Sequence, residues 1–469
     1  MRNYQDRFIF FAMLAIVVIS IFYIRFDIPD DAFITLRLAN NLVHGLGWDY
    51  NPGAPSDIAT SPFYVIYLIP FLFAFKNGHI ALLMAYGVGL FIITTILYVA
   101  LREKGRSTAF VVAISSLMPP FLIQSVGMET AIYLAVILLA AFFFNRRDYG
   151  WSGLFSGLAA LSRPEGILIL LVLTAFYSLR ERKVPWKLFV TGGLVIAPWL
   201  FFSYWDFGSI VSHTAQVKAT QDQIQFLARE SWIAGFYNSI THQIILIPLF
   251  LMGVFYALED YKSGDVFLSV VLIFCIMQVI GYALLHAPAG YFWYYVPGDF
   301  VIYTLASYGA SRLLSRLAKH NFNSWLLVGG IFFASLMYWQ FKISKDGYPL
   351  FRDSRDYISA AVWLHNNAAN NDYLAADEIG YVGYYSGLRI RDMMGLVDLE
   401  SIGPLKKHRW NWWYSDYNKP TYVLLHKKPW LGEPGCPDTP FPVNVYRDFL
   451  RHYKIVLSTK NIILLQYHN

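Results

Sequence analysis

The feature that most limits what this chain can fold into is a succession of apolar runs separated by short loops that carry basic residues. Runs near the 17 to 25 residues that span a bilayer occupy 8–25, 79–101, 108–124, 130–145, 150–162, 166–179, 187–205, 242–258, 265–286, 292–311 and 324–341. Of the 469 residues only 14% are charged, against about 25% in a soluble domain, so much of the surface is expected to face lipid. Aromatic residues reach 18% and gather near the ends of the runs, where an interfacial belt would put them. The expected fold is an all-α polytopic membrane domain of about 11 transmembrane helices, followed by a small C-terminal α/β extramembrane domain.

The net charge is +6. In a soluble chain that would suggest nucleic acid, but here the Lys and Arg sit in short loops and act as topology signals; no nucleic-acid partner is expected. Of the two cysteines, Cys275 lies inside an apolar run and Cys436 near the C-terminus, which gives no disulfide framework. The first run follows Arg2 and Arg7 without a small-residue cleavage site after it, and reads as a retained span.

One further apolar run, 62–75, decides the parity of everything behind it. If it does not cross, the loops 102–106, 145–147, 180–183 and 312–319 all fall on the side of the N-terminus, which is the positive-inside pattern for a cytoplasmic N-terminus. The acidic Glu259-Asp260 pair then also falls inside, against the rule. Three outward parts result: residues 26–78, residues 206–241 and a tail from about 342. In the tail, 353–370 reads as a helix, and 373–376, 388–391, 421–425, 455–458 and 462–466 read as strands.

The first outer segment holds the clearest chemistry. Asp30 and Asp31 follow the first span directly, and 31–44 has the spacing of an amphipathic helix lying on the membrane surface. It is stopped by Gly45 and Gly47. A carboxylate there could take the proton from an acceptor hydroxyl attacking an interfacial carbon. Alternatively Asp30 only caps the helix and Asp31 only favours its dipole. Adjacent helical residues point about 100° apart, so the two are not expected to do the same job.

The string Asp30-Asp31-Ala32-Phe33-Ile34-Thr35-x-Arg37, with Tyr50-Asn51-Pro52-Gly53 and Thr60-Ser61-Pro62 after it, resembles the first outer loop of GT-C-type membrane glycosyltransferases. It is most like the branch of bacterial envelope enzymes that contains mycobacterial terminal arabinofuranosyltransferases. Gly127-Met128-Glu129-Thr130-Ala131 resembles that branch's second outer loop, and Ser162-Arg163-Pro164-Glu165-Gly166 its Arg-Pro-Glu-Gly turn. Phe207-Gly208-Ser209 through Lys218 resembles its fourth outer loop, with Ser212-His213-Thr214 where the branch has Pro-Asn-Thr. Asp377 to Tyr381 with Asp392 to Leu396 resembles its outer C-terminal domain.

The resemblance implies a catalytic membrane domain over 1–341 and an outer soluble domain over 342–469. It implies an inverting enzyme that moves one sugar from a polyprenyl-phosphate donor to a hydroxyl of an envelope glycan, lipid or protein, at the outer face of a bacterial inner membrane. The base maps to Asp30, with Asp31 beside it and Glu129 as a second-loop acid. Glu129 could equally be a helix cap.

Arg163 could hold the donor phosphate or bridge Glu165, since intramembrane charges are paired or functional. Lys218 is a candidate cation for the leaving phosphate or a solvated loop lysine. His286, Tyr291 and Tyr294 cluster at a span boundary, where they could contact donor or form the aromatic belt. No metal-ligand spacing occurs, although two or three acids could hold a divalent cation. The competing reading is a transporter or lipid flippase, which would be expected to show repeated halves or matching broken helices.

Overall fold

The computed structural model describes residues 2–26, 28–54, 57–218, 232–285, 291–317, 330, 337, 354–407, 409, 411–415, 419–427 and 442–468. Fifteen helices are labelled up to residue 317. They are α1 (Arg2–Ile24), α2 (Asp30–Val43), α3 (Pro62–Phe75), α4 (Gly78–Leu101), α5 (Arg106–Ser115), α6 (Pro120–Gln124), α7 (Thr130–Asn145), α8 (Tyr149–Ser162), α9 (Ile167–Glu181), α10 (Trp186–Phe207), α11 (His213–Lys218), α12 (Trp232–His242), α13 (Ile247–Lys262), α14 (Phe267–Leu284) and α15 (Val296–Leu317). Among the described residues five stretches are long and apolar enough to cross a membrane: 4–24, 78–104, 186–207, 244–262 and 267–284. The chain is an integral membrane protein. The run 324–341 lies outside the described residues apart from Gly330 and Met337.

The run 108–124 is not one helix. Its helix stops at Ser115, and the five-residue α6 starts afresh at Pro120 behind the N-cap Pro119, because proline cannot donate to a helical ladder and clashes with the turn before it.

Contacts at the two ends of α1 and α4 fix how segment 26–78 runs. At one end Tyr98 Oη donates to Asp6 Oδ1 at 2.8 Å, and Arg106 Nε lies 3.3 Å from the same oxygen. At the other end His79 Nε2 is 2.8 Å from the carbonyl of Arg25. The segment therefore leaves and re-enters the bundle at the same end, and α3 makes no net crossing. Its 14 residues span only about 21 Å at 1.5 Å each, short of a hydrocarbon core of about 30 Å.

The acidic loop that broke the charge rule has partners. Lys104 Nζ is 2.7 Å from Asp260 and 3.3 Å from Asp265, Asn145 Nδ2 donates to Asp265, and Arg316 pairs with Glu259. These loops share one end of the bundle, and the acids there are neutralised by the basic residues that topology places beside them.

The tail folds into a five-stranded sheet, β1 (Tyr373–Ala376), β2 (Arg389–Asp392), β3 (Tyr422–His426), β4 (Tyr453–Ser458) and β5 (Ile462–Tyr467), in the order β2-β1-β3-β5-β4. The β2-β1-β3 part is parallel, and β5 and β4 are antiparallel. Side chains alternate across a sheet: Leu374, Ala376, Leu424 and Leu464 join the core shared with the membrane domain. Ala375, Val423, Leu425 and Leu465 pack with Trp412, Tyr414 and Phe449 on the other face. Helices α16 (Arg355–Asn367), α17 (Gly380–Ser386) and α18 (Val443–His452) accompany it.

Candidate active site

Helix α2 is held between two partners, and its faces divide accordingly. Asp30, Phe33 and Arg37 lie on the face turned to the outer domain. The Phe33 ring sits 4.2 Å from that of Tyr381. Arg37 donates to the carbonyls of Gly383 at 2.6 Å and Leu388 at 2.8 Å, and to that of Tyr50 at 2.9 Å. Tyr50 Oη donates to the Ile379 carbonyl, and the Asn51 side chain pairs with both the N–H and the carbonyl of Ile390. The tail folds back onto this face of the helix expected along the membrane surface and buries Phe33 and Arg37. Close approach explains Gly380 and Gly383, where a Cβ would strike the Asp30 backbone and the Tyr50 hydroxyl.

Asp30 does not cap its own helix; Pro29 occupies the N-cap position of α2. The Asp30 carboxylate instead accepts the backbone N–H of Gly380 at 2.6 Å and of Tyr381 at 2.7 Å, the first turn of α17. Burial and the Glu378 carboxylate push its carboxyl above the ordinary range, while the two N–H bonds pull the other way.

One residue on, the geometry reverses. Asp31, Ile34, Thr35 and Leu38, spaced i, i+3, i+4 and i+7 on the next face of α2, line a cleft. Its other walls are Ile58 to Ser61 and Val65, Met128 and Glu129, Thr214 and Lys218 on one side of α11, Trp293, and Leu396 and Val397 from the outer domain. Asp31, Glu129 and Lys218 are thus brought to one space from three separate loops.

The remaining charges are organised around Glu129. Arg163 Nη1 lies 2.5 Å from Glu129 Oε1 and its Nε 2.5 Å from Glu165 Oε1. Its Nη2 donates to Tyr282 Oη at 3.2 Å, and Tyr282 in turn donates to Glu165. Arg163 is therefore engaged on three sides, beneath the cleft wall. Tyr294 stacks on Tyr282 at 4.6 Å and lies 5.2 Å from the Arg163 guanidinium. Lys218 Nζ sits 4.6 Å from the centre of the Tyr291 ring. His286 lies outside the described residues. Among the described residues no group of three or more His, Cys, Asp or Glu could hold a metal ion.

The sequence did not single out Asp57, Thr214, Leu396 or Val397 individually. Asp57 is buried, accepts Ser203 Oγ–H at 2.9 Å, and gives its backbone carbonyl to the His213 N–H at 2.7 Å. Burial pushes its carboxyl up to about 6. The Thr214 hydroxyl lies 3.0 Å from the carbonyl of Ile58 and 3.1 Å from that of Leu396 and shares its one proton between them, so the first outer loop, α11 and the outer domain meet at one hydroxyl. Thr214 and Leu396 lie inside motifs that mark the outer loops, but their contact joins positions 182 residues apart.

Similar architectures are known. The structure of ArnT from Cupriavidus metallidurans bound to undecaprenyl phosphate matches 97% of this chain and 97% of its own, at a TM-score of 0.62 and 11% identity. ArnT in the apo state matches 99% and 98%, at 0.61 and 12%. Arabinofuranosyltransferase AftD from Mycobacteria matches 97% of this chain, which spans 40% of AftD, at 0.52 and 12% identity. The chain shares the GT-C fold with these proteins. A family profile described as a domain of unknown function (DUF8728) matches residues 350–465. No curated protein sequence matches.

Proposed function

We propose that this GT-C-fold chain is a membrane glycosyltransferase. It moves one sugar from a polyprenyl-phosphate donor to an acceptor hydroxyl of an envelope glycan, lipid or protein on the outer side of the membrane, with inversion at the sugar carbon. The observation that carries the reading is the placement of Asp31 and Lys218 in the lining of one cleft. The undecaprenyl phosphate bound to a protein of the same fold supports a donor of that chemistry.

The reaction needs a base, a cation and a dry, shaped space. Asp31 accepts the proton of the acceptor hydroxyl as its oxygen bonds to the anomeric carbon. The bond from that carbon to the phosphate oxygen breaks, and its electron pair leaves with the polyprenyl phosphate. Lys218 neutralises that leaving group, steadied by the Tyr291 face. Glu129, fixed by Arg163, accepts hydrogen bonds from sugar hydroxyls and holds the ring. We assign Asp30 to anchoring the outer domain and Asp31 to proton acceptance, since Asp30 accepts two N–H groups of α17 and Asp31 is the one of the two that lines the cleft.

The test is release of polyprenyl phosphate from a panel of polyprenyl-phosphate sugars by purified protein, with and without acceptor glycans. Acceptor-dependent release supports transfer. Movement of intact donor across a vesicle membrane without bond cleavage would support the flippase reading instead.

A further inference from the structure

The outer domain contributes to the cleft through one loop, Met393 to Asp398, and several backbone polar groups of that loop are engaged away from it. Asp392 takes the N–H groups of Met394 at 2.8 Å and Leu396 at 2.6 Å, and the Met393 N–H goes to the Ala376 carbonyl. On the acceptor side, Trp412 takes the Met393 carbonyl. Ser401 and His213 Nε2 both contact the Gly395 carbonyl at 2.9 Å, and Thr214 takes that of Leu396 at 3.1 Å. Gly395 itself has φ +80°, and a Cβ there would strike Ser401. The two residues by which the loop lines the cleft are Leu396 and Val397, both apolar, the latter 4% exposed.

Their position relative to the phosphate site follows from α11. Thr214 and Lys218 are one turn apart and line the same cleft. A sugar whose phosphate rests at Lys218 must pass along Thr214, and so against Leu396 and Val397. The polar groups Thr35, Thr60, Ser61 and Glu129 come from the membrane domain and the first outer loop. The membrane-domain walls thus mix hydroxyl and carboxylate groups with apolar side chains such as Ile34, Met128 and Trp293, whereas the outer domain lines the cleft with two apolar residues only.

We infer that Leu396 and Val397 determine sugar specificity, and that the edge of the donor sugar turned toward the outer domain carries no hydroxyl, as in a deoxy sugar. This rests on the glycosyltransferase reading. A hydroxyl pressed against these two side chains finds no partner in them, and an apolar wall rejects an added hydroxyl by up to about a hundredfold.

The experiment compares kcat/KM for two undecaprenyl-phosphate donors, a hexose and its 6-deoxy analogue, in the wild-type protein and in Val397→Thr and Leu396→Asn. Val397→Thr keeps the shape of the side chain and adds a hydroxyl. The expected result is a wild-type preference for the deoxy donor of roughly ten- to a hundredfold, reduced at least severalfold in either variant. Equal use of the two donors by the wild-type protein, or a ratio unchanged in both variants, would overturn the inference while leaving glycosyl transfer standing. No cleavage of any donor on a wider panel would overturn the underlying reading as well.

Discussion

The Asp30 carboxylate holds the backbone N–H of Gly380 at 2.6 Å, across 350 positions of sequence. This bond, with its twin to Tyr381, fastens the outer domain to the helix whose next residue faces the cleft. Asp30→Ala leaves the first-turn N–H groups of α17 without their buried acceptor. The expected cost is about 1–3 kcal/mol, read as a lower unfolding temperature and faster amide exchange over 377–398. Unchanged exchange there would remove Asp30 from the docking role.

Arg163 and Lys218 are expected to separate when each is replaced by Met. Lys218→Met should express normally and bind polyprenyl phosphate about tenfold or more weakly, from loss of a charge-assisted contact worth roughly 1.5–3 kcal/mol. Arg163→Met strands Glu129 and Glu165 in a buried site and should cost about 3–5 kcal/mol of stability, seen as poor yield and early unfolding. A stable Arg163→Met protein with specifically weakened donor binding would return Arg163 to the phosphate.

Asp57 gives a pH signature. Its folded carboxyl titrates at about 6, raised by burial above the ordinary value of 3.8. The native state therefore holds the proton longer than the unfolded chain, and this contribution to stability, full below about pH 4, is lost as pH rises through 6. Asp57→Asn removes the titration but still accepts from Ser203. Its stability relative to wild type should grow by roughly 2–3 kcal/mol between pH 4 and pH 7.5, measured by unfolding in detergent. A constant difference would show that burial does not perturb Asp57.

Much of this architecture was legible in the chain. Short β-rich runs located all five strands within two residues at either end, and the loop charges gave the parity that the Asp6–Arg106 and His79–Arg25 contacts display. The break at Pro119-Pro120 was missed, because hydropathy alone joins 108–124 into one run. Helix α18 escaped notice because its polar residues, Arg447, Asp448, Arg451 and His452, give no apolar run. The separate roles of Asp30 and Asp31 were not readable from spacing. Both begin a helix, and what distinguishes them is α17 arriving from the far end of the chain. The same holds for Leu396 and Val397, whose importance comes from Thr214 drawing their loop to the cleft.

The central claim, that Asp31 is the proton acceptor and Asp30 is not, is tested most directly by transfer rates of Asp31→Asn and Asp30→Asn, each folded and each shown to bind polyprenyl phosphate. The expected result is a fall of about a hundredfold to ten-thousandfold for Asp31→Asn, the range for losing a general base, with Asp30→Asn losing stability but keeping most of its rate per folded molecule. A wild-type rate in Asp31→Asn, or a dead but well-folded Asp30→Asn beside an active Asp31→Asn, would contradict the assignment.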